Sequence, residues 1–258
     1  MSSIEYAQAR MQARFGARPG AALWREFDSV RDLGAYLDSV QGTPLRAWVT
    51  GIDAAGDLHQ IESRLRERFR SHIQEVARWM PEPWGPAVRR VARLLDLPAR
   101  AHLLSGRGLF SWMTREPGLR ALVADAGEGR PALATRTAAD SREGRGAGRV
   151  PDPARVRAAW LAEWERCWPV RDGESRRAMT TIVTVLSRHI ERFRLAGARD
   201  GWRLRAQLEQ DLRALFRKFA LQPEACFAYL GLIALDLERL RAQLVRRALW
   251  LREREAAA

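Results

Sequence analysis

The stretch that decides the fold class is residues 57–81, DLHQIESRLRERFRSHIQEVARWMP. Its large apolar side chains recur every three or four residues, with polar residues between them: Leu58, Ile61, Leu65, Phe69, Ile73, Val76 and Met80. This is the period of an amphipathic helix with one buried face. Asp57 is a preferred N-cap residue and Pro81 cannot continue a helix, so the sequence predicts a helix between them.

The same period extends through most of the chain. It predicts helices over 4–16, 24–40, 86–95, 98–104 and 204–219, a helix capped by Ser175 that ends at Gly197, and a long last helix from about Pro223 to about Glu253. Along the last helix an apolar seam with coiled-coil-like spacing is formed by Cys226, Leu230, Ile233, Leu237, Leu240 and Leu244. The sequence therefore predicts an all-α fold.

Composition changes sharply in the middle of the chain. Residues 116–153 are rich in Gly, Pro, Ala, Ser and charge and lose the apolar period, as a flexible linker does. We therefore expect an N-terminal helical lobe over 1–115, a linker over 116–153 and a C-terminal helical lobe over 154–258 that carries the long terminal helix.

The overall composition is that of a folded, basic protein. Of 258 residues, 47% are hydrophobic, which is enough for a substantial core, and the net charge is +13. The longest apolar run, 225–235, is too short to span a membrane, and two cysteines with a polar N-terminus favour a reducing cytoplasm over secretion.

Motifs for catalysis or metal binding are absent from the sequence. The four histidines, His59, His72, His102 and His189, are scattered, and there is no H-E-x-x-H, C-x-x-C, G-x-S-x-G or P-loop pattern. Most carboxylates stand three or four residues from an arginine, where surface ion pairs explain them. We predict a protein without catalytic residues, metal site or cofactor.

Tryptophan is unusually abundant, with ten in the chain. Trp160, Trp164 and Trp168 follow one another at four-residue spacing and form an aromatic stripe on one helix face. Three roles stay open for this stripe: filling a wide core between lobes, anchoring a protein interface, or stacking nucleic-acid bases.

Several short patterns, in order, carry a family resemblance at the two ends of the chain, over about 4–115 and 200–250. The opening pattern is Tyr6, Ala9, Arg10, Ala13 and Arg14; a leucine-spaced helix leads to a Thr-Pro turn at Leu33, Leu37, Thr43, Pro44 and Leu45. The long amphipathic helix over 58–80 follows, then Asp96, Leu97, Arg100, Leu103 and Leu104, and near the end Tyr229, Glu238, Leu240 and Arg241. This series resembles the C/d family of the V/A-type ATPases, which includes archaeal and bacterial members and their counterparts in the eukaryotic V-ATPase.

The resemblance implies a non-catalytic rotor part. Members of this family are multi-lobed helical sockets with pseudo-threefold symmetry, seated on the cytoplasmic face of the membrane proteolipid ring, and the central stalk enters their cavity. For this chain we expect a similar socket with an abbreviated middle lobe. The implied partners are the proteolipid ring, the central-stalk subunits and the membrane surface, with no small-molecule substrate. The expected partner-binding residues are Arg10, Arg14, Thr43, Arg100, Trp160, Trp164 and Trp168.

Two other functions are compatible with the residues. The charge of +13 and the mixture of Trp and Arg suit a helical nucleic-acid-binding or regulatory protein, although no run of consecutive basic residues supports a nucleic-acid arm. An unrelated helical scaffold or adaptor is the third hypothesis.

Overall fold

The computed structural model describes residues 3–105, 107–120, 123–124, 153–169, 173–197 and 200–256. Over these residues the regular structure is entirely helical, which confirms the all-α prediction. The α-helices are α1 (Ile4–Gly16), α2 (Ala21–Asp28), α3 (Leu33–Ser39), α4 (Arg46–Val49), α5 (Leu58–Trp79), α6 (Gly85–Arg90), α7 (Leu97–Leu104), α8 (Pro153–Glu165), α9 (Gly173–Leu195), α10 (Gly201–Lys218) and α11 (Ala225–Ala256). Short 3₁₀ segments occur at Glu82–Trp84, Val91–Asp96, Met113–Arg115 and Pro117–Leu119.

The chain divides into two compact units. The terminal unit contains Met1–Arg89 and Pro169–Ala258, and the middle unit contains Arg90–Trp168. The lobes expected from the sequence, 1–115 and 154–258, do not coincide with these two units. The terminal unit combines both ends of the chain, because α1 and α5 from its beginning pack against α11 at its end. Most of the expected 116–153 linker lies outside the described residues.

The core of the terminal unit lies between α1, α5, α10 and α11. Every residue of the seam predicted on α11 is buried, and so is every residue of the apolar face predicted on α5 except Leu58. Gly231 on α11 faces Leu212 on α10, where a Cβ atom would come within 3.0 Å of a leucine methyl group. The absence of a side chain at this position therefore allows the two helices to pack closely.

The ends of several helices confirm the sequence prediction. Ser3 accepts a hydrogen bond from the backbone N–H of Tyr6 at the start of α1, and Asp57 accepts one from Gln60 at the start of α5. Helix α5 ends at Trp79, directly before the segment that contains Pro81, and Pro98 lies in the first turn of α7. Helices α10 and α11 lie within about three residues of their predicted bounds.

Three predicted helix positions were wrong in detail. The helix expected over 24–40 is divided into α2 and α3, because Asp32 starts a new helix by accepting a hydrogen bond from the N–H of Ala35. The helix expected over 86–95 becomes α6 followed by a 3₁₀ segment. Ser175 is not the N-cap, because α9 already begins at Gly173; its hydroxyl donates to the carboxylate of Glu224.

The middle unit has its own small apolar cluster. Ala99 and Leu103 of α7 pack with Met113 and Leu119, and Trp112 lies partly buried against them. Helix α7 also packs along α8. Within the described part of the chain, none of the helices combines the length and apolar composition that crossing a membrane requires.

Candidate functional site

The two predicted arginines of α1 converge on one carboxylate. Arg10 and Arg14 stand one helical turn apart and both face Glu75 of α5, at 3.9 and 3.1 Å between nitrogen and oxygen. The guanidinium group of Arg10 also lies over the ring of Trp79, 5.2 Å from its centroid. Both arginine side chains keep nearly half of their surface exposed. They therefore form a basic surface that is held in place and still open to solvent.

Glu75 connects this surface to buried polar groups. The Nδ1 atom of His72 lies 3.5 Å from Glu75, and its Nε2 atom lies 3.0 Å from the hydroxyl of Tyr229 on α11. Burial lowers the pKa of His72 to about 4, so the imidazole is neutral at pH 7. Burial also raises the pKa of the Tyr229 hydroxyl. A neutral ring can donate a hydrogen bond from Nδ1 to the Glu75 carboxylate and accept one at Nε2 from the Tyr229 hydroxyl, which gives all three groups a partner.

A second ion cluster, which the sequence reasoning missed, ties the loop after α1 to the terminal helices. The Nε and Nη2 atoms of Arg18 donate to the two carboxylate oxygens of Asp236 at 2.6 and 2.8 Å, and Nη2 also donates to Glu209 at 3.3 Å. Only 5% of the Arg18 side chain is exposed. The available signal was Asp236 itself, an acid within the otherwise apolar stretch of α11.

Thr43 forms a turn. Its hydroxyl donates to the carbonyl of Val40 at 2.8 Å and accepts from the N–H of Leu45 at 3.2 Å. The Thr43 hydroxyl therefore acts as both donor and acceptor within this turn, which orients the backbone before α4. The bonds of Thr43 stay within this turn, whereas Arg10 and Arg14 pair with Glu75, so these predicted residues do not form one cluster.

Arg100 lies in the middle unit on α7. Burial lowers the pKa of its guanidinium group, and neighbouring Arg93 lowers it further while Asp96 opposes the shift. Nearby, Arg90 forms an ion pair with Glu163 of α8. Arg100 is thus a half-buried cation among other cations, and this environment favours contact with an added negative charge.

The predicted tryptophan stripe is present in the middle unit. Trp160 stacks on Trp164 with ring centroids 5.3 Å apart, and Trp164 meets Trp168 edge-on at 5.2 Å. Trp164 is buried, and the indole N–H groups of Trp160 and Trp168 are shielded from solvent with no acceptor among the described residues. The three rings therefore pack on one another, with Trp164 buried between Trp160 and Trp168, which are partly exposed.

No family model, curated protein or solved structure matches this chain. Across the described residues, His, Cys, Asp and Glu side chains nowhere gather in a group of three or more that could hold a metal ion. The candidate residues that the structure describes make ion pairs, hydrogen bonds and aromatic contacts on a packed helical frame.

Proposed function

We propose that this chain is a non-catalytic central-stalk subunit of a V/A-type ATPase, a helical socket that couples the membrane proteolipid ring to the central shaft during ion transport. It would act as a peripheral protein on the cytoplasmic face of the membrane, with protein partners and no small-molecule substrate. The middle lobe would be shorter than in other members of the C/d family.

One observation carries the proposal. The two segments that resemble the family lie far apart in sequence, yet α1 and α5 from the first pack against α11 from the second within the terminal unit. Patterns from both ends of the chain therefore lie on neighbouring helices of the terminal unit, whereas the pattern at Asp96–Leu104 lies in the middle unit. The buried pair of Arg18 and Asp236 joins the same two segments.

The physical properties of the terminal unit suit a part that transmits torque. Helix α11 has 32 residues, and at 1.5 Å per residue it is about 48 Å long. It is braced by α5 and α10 over the apolar seam. Rigid packed interiors transmit strain with little compression. The excess of arginine suits acidic partner surfaces and lipid headgroups.

The test is co-expression with a proteolipid ring and central-stalk subunits of a V/A-type ATPase, followed by purification from detergent-solubilised membranes. The wild-type chain is expected to co-migrate with the complex. Replacing Arg10 and Arg14 by Glu is expected to weaken assembly while circular dichroism shows unchanged helicity, because the basic surface of α1 is reversed.

Two controls separate partner binding from internal pairing. Glu75→Gln removes the internal partner of both arginines but leaves their charges, and is expected to retain assembly. Arg64→Glu changes an exposed arginine elsewhere on α5, whose partner is Glu67 at 2.9 Å, and is also expected to retain it. A wild-type chain that co-migrates with neither ring nor stalk would refute the proposal.

A further inference from the structure

A groove of about 240 Å³ lies between α9 and α10 of the terminal unit. One wall carries Arg188 and Arg192, one helical turn apart on α9, with His189 beside them. The facing wall carries Gln207 and Asp211, whose side chains are hydrogen-bonded to each other at 2.9 Å. The remaining lining is apolar: Val185, Leu204 and Leu208. The groove therefore offers two cations, one acid and an apolar floor.

The two groove arginines differ from their neighbours in pairing. Arg194 pairs with Glu191, Arg203 with Asp200 and Arg205 with Glu238, at 3.4, 3.3 and 2.7 Å. Neither Arg188 nor Arg192 has an ion pair or side-chain hydrogen bond to any described residue, and both are exposed. Their charges are available to an external carboxylate.

Apolar side chains are exposed at the end of the same helix pair. Leu195 at the end of α9 is 88% exposed, and Trp202 at the start of α10 is 61% exposed. Phe193 adjoins them, and a Cβ atom on Gly201 would lie 3.4 Å from its ring. Arg205 lies over Phe193 and Arg239 lies over Trp202, at 5.0 and 5.2 Å from the ring centroids. An exposed apolar patch bordered by polar groups is typical of an interaction surface.

The dimensions and charges of the groove select the kind of occupant. Pockets for small molecules are usually about 300–1,000 Å³, so this groove fits one or two side chains better than an enclosed small molecule. The exposed side chains of Leu195 and Trp202 beside the groove favour a partner that offers apolar side chains together with a negative charge, as an amphipathic protein segment does. Burial lowers the pKa of His189, so near neutral pH its ring contributes hydrogen bonding and no added charge.

We propose that the α9–α10 groove binds an acidic amphipathic segment of a protein partner. A carboxylate of the segment pairs with Arg188 and Arg192, and its apolar side chains cover Leu195 and Trp202. This surface is separate from the Arg10 and Arg14 surface of α1. The inference does not depend on membership of an ATPase.

The experiment measures binding of a fluorescein-labelled helical peptide to the full chain by fluorescence anisotropy. The probe has roughly 20 residues, long enough for helix formation in water, with leucine on one face and glutamate on the other. The wild-type chain is expected to bind it, and a matched peptide with glutamine in place of glutamate is expected to bind far less.

Two double variants are compared with a charge-matched control. Arg188→Gln with Arg192→Gln is expected to weaken binding about tenfold, as the loss of two exposed ion pairs predicts. Leu195→Ser with Trp202→Ser is expected to weaken it by a similar factor. Arg176→Gln with Arg177→Gln removes two exposed arginines from the first turns of the same helix and is expected to change affinity by less than about twofold.

Three outcomes would overturn the inference. The first two are no peptide binding by the wild-type chain, and equal binding by the variant that carries Arg188→Gln and Arg192→Gln. The third is displacement of the peptide, through Arg188 and Arg192, by phosphatidylserine-containing vesicles or by short single-stranded DNA. Peptide binding through the groove would support this inference even if the chain did not co-migrate with ATPase subunits. The two experiments therefore test the two proposals independently.

Discussion

His72 is a buried histidine whose protonation state is coupled to folding. Its ordinary pKa of 6.5 falls to about 4 in the folded protein because burial disfavours the charged ring. Folding therefore favours the neutral form of His72. Above pH 6.5 the ring is neutral in both states, and protonation of this group does not lower the free energy of unfolding. As the pH falls from 6.5 towards 4, His72 becomes protonated in the unfolded chain but stays neutral in the folded protein. The free energy of unfolding therefore decreases over this range. The gap between the two pKa values corresponds to about 3 kcal/mol.

We predict that His72→Gln removes this part of the pH dependence. Urea unfolding measured from about pH 7.5 to about pH 4.5 should show a steep loss of stability in the wild type and a shallower one in the variant. His59→Gln, at an exposed position of α5, is the control and should follow the wild type. Equal pH dependence in wild type and His72→Gln would contradict the assignment.

At the scale of single residues, the sequence predicted part of the candidate site. The four-residue spacing of Arg10 and Arg14 already places them on one helix face. Their shared partner Glu75 could not be predicted, because it depends on how α1 packs on α5. The same holds for Arg18 and Asp236, which are 218 positions apart. A pattern within one helix reports which face a residue occupies, but not which residue it meets.

At the scale of elements, helix prediction succeeded where one face is regularly buried. The apolar periods of α5, α10 and α11 continue over many turns, so their positions follow from local sequence. The break between α2 and α3 was missed because its cause is partly distant. Arg247 of α11 donates to the carbonyls of Phe27 and Val30, which lie at the end of α2 and just beyond it. The carbonyl of Phe27 also accepts from the backbone N–H of Val30 at 3.3 Å, so Arg247 adds a second donor there and supplies a donor to the carbonyl of Val30.

Arg247 is therefore expected to be a strong stabilising contact between α11 and α2. Its side chain is 1% exposed, and its guanidinium group also lies 4.0 Å from the centre of the Tyr36 ring. We predict that Arg247→Met lowers the free energy of unfolding by about 3 kcal/mol, since two carbonyl groups lose their buried donor. Denaturant unfolding at pH 7 measures this.

The neighbouring Arg246 provides the control for that measurement. It is exposed and makes one side-chain hydrogen bond, to Gln243 at 3.1 Å. Arg246→Met is expected to change stability by less than about 0.5 kcal/mol. Similar losses in both variants would show that charge, and not the buried contact with α2, determines the effect.

At the scale of the whole molecule, the terminal unit is assembled from the two ends of the chain. Helices α1 and α5 contribute one part of its core, and α10 and α11 contribute the other. The apolar seam of α11 and the buried ion cluster of Arg18 both cross between these parts. Neither part contains the whole core, so each needs the other to bury its apolar face.

This dependence predicts that two co-expressed fragments, 1–124 and 153–258, associate and co-purify through an affinity tag on the first. Arg18→Met in the first fragment should reduce recovery of the second, because breaking a buried ion pair leaves Asp236 uncompensated at a cost of about 3–5 kcal/mol. Arg64→Met, at an exposed position on α5, should leave recovery unchanged. Combining Arg18→Met with Asp236→Leu should restore association, since an apolar pair can replace a buried ion pair without loss. Separate purification of two folded fragments would mean that each end of the chain encloses a core of its own.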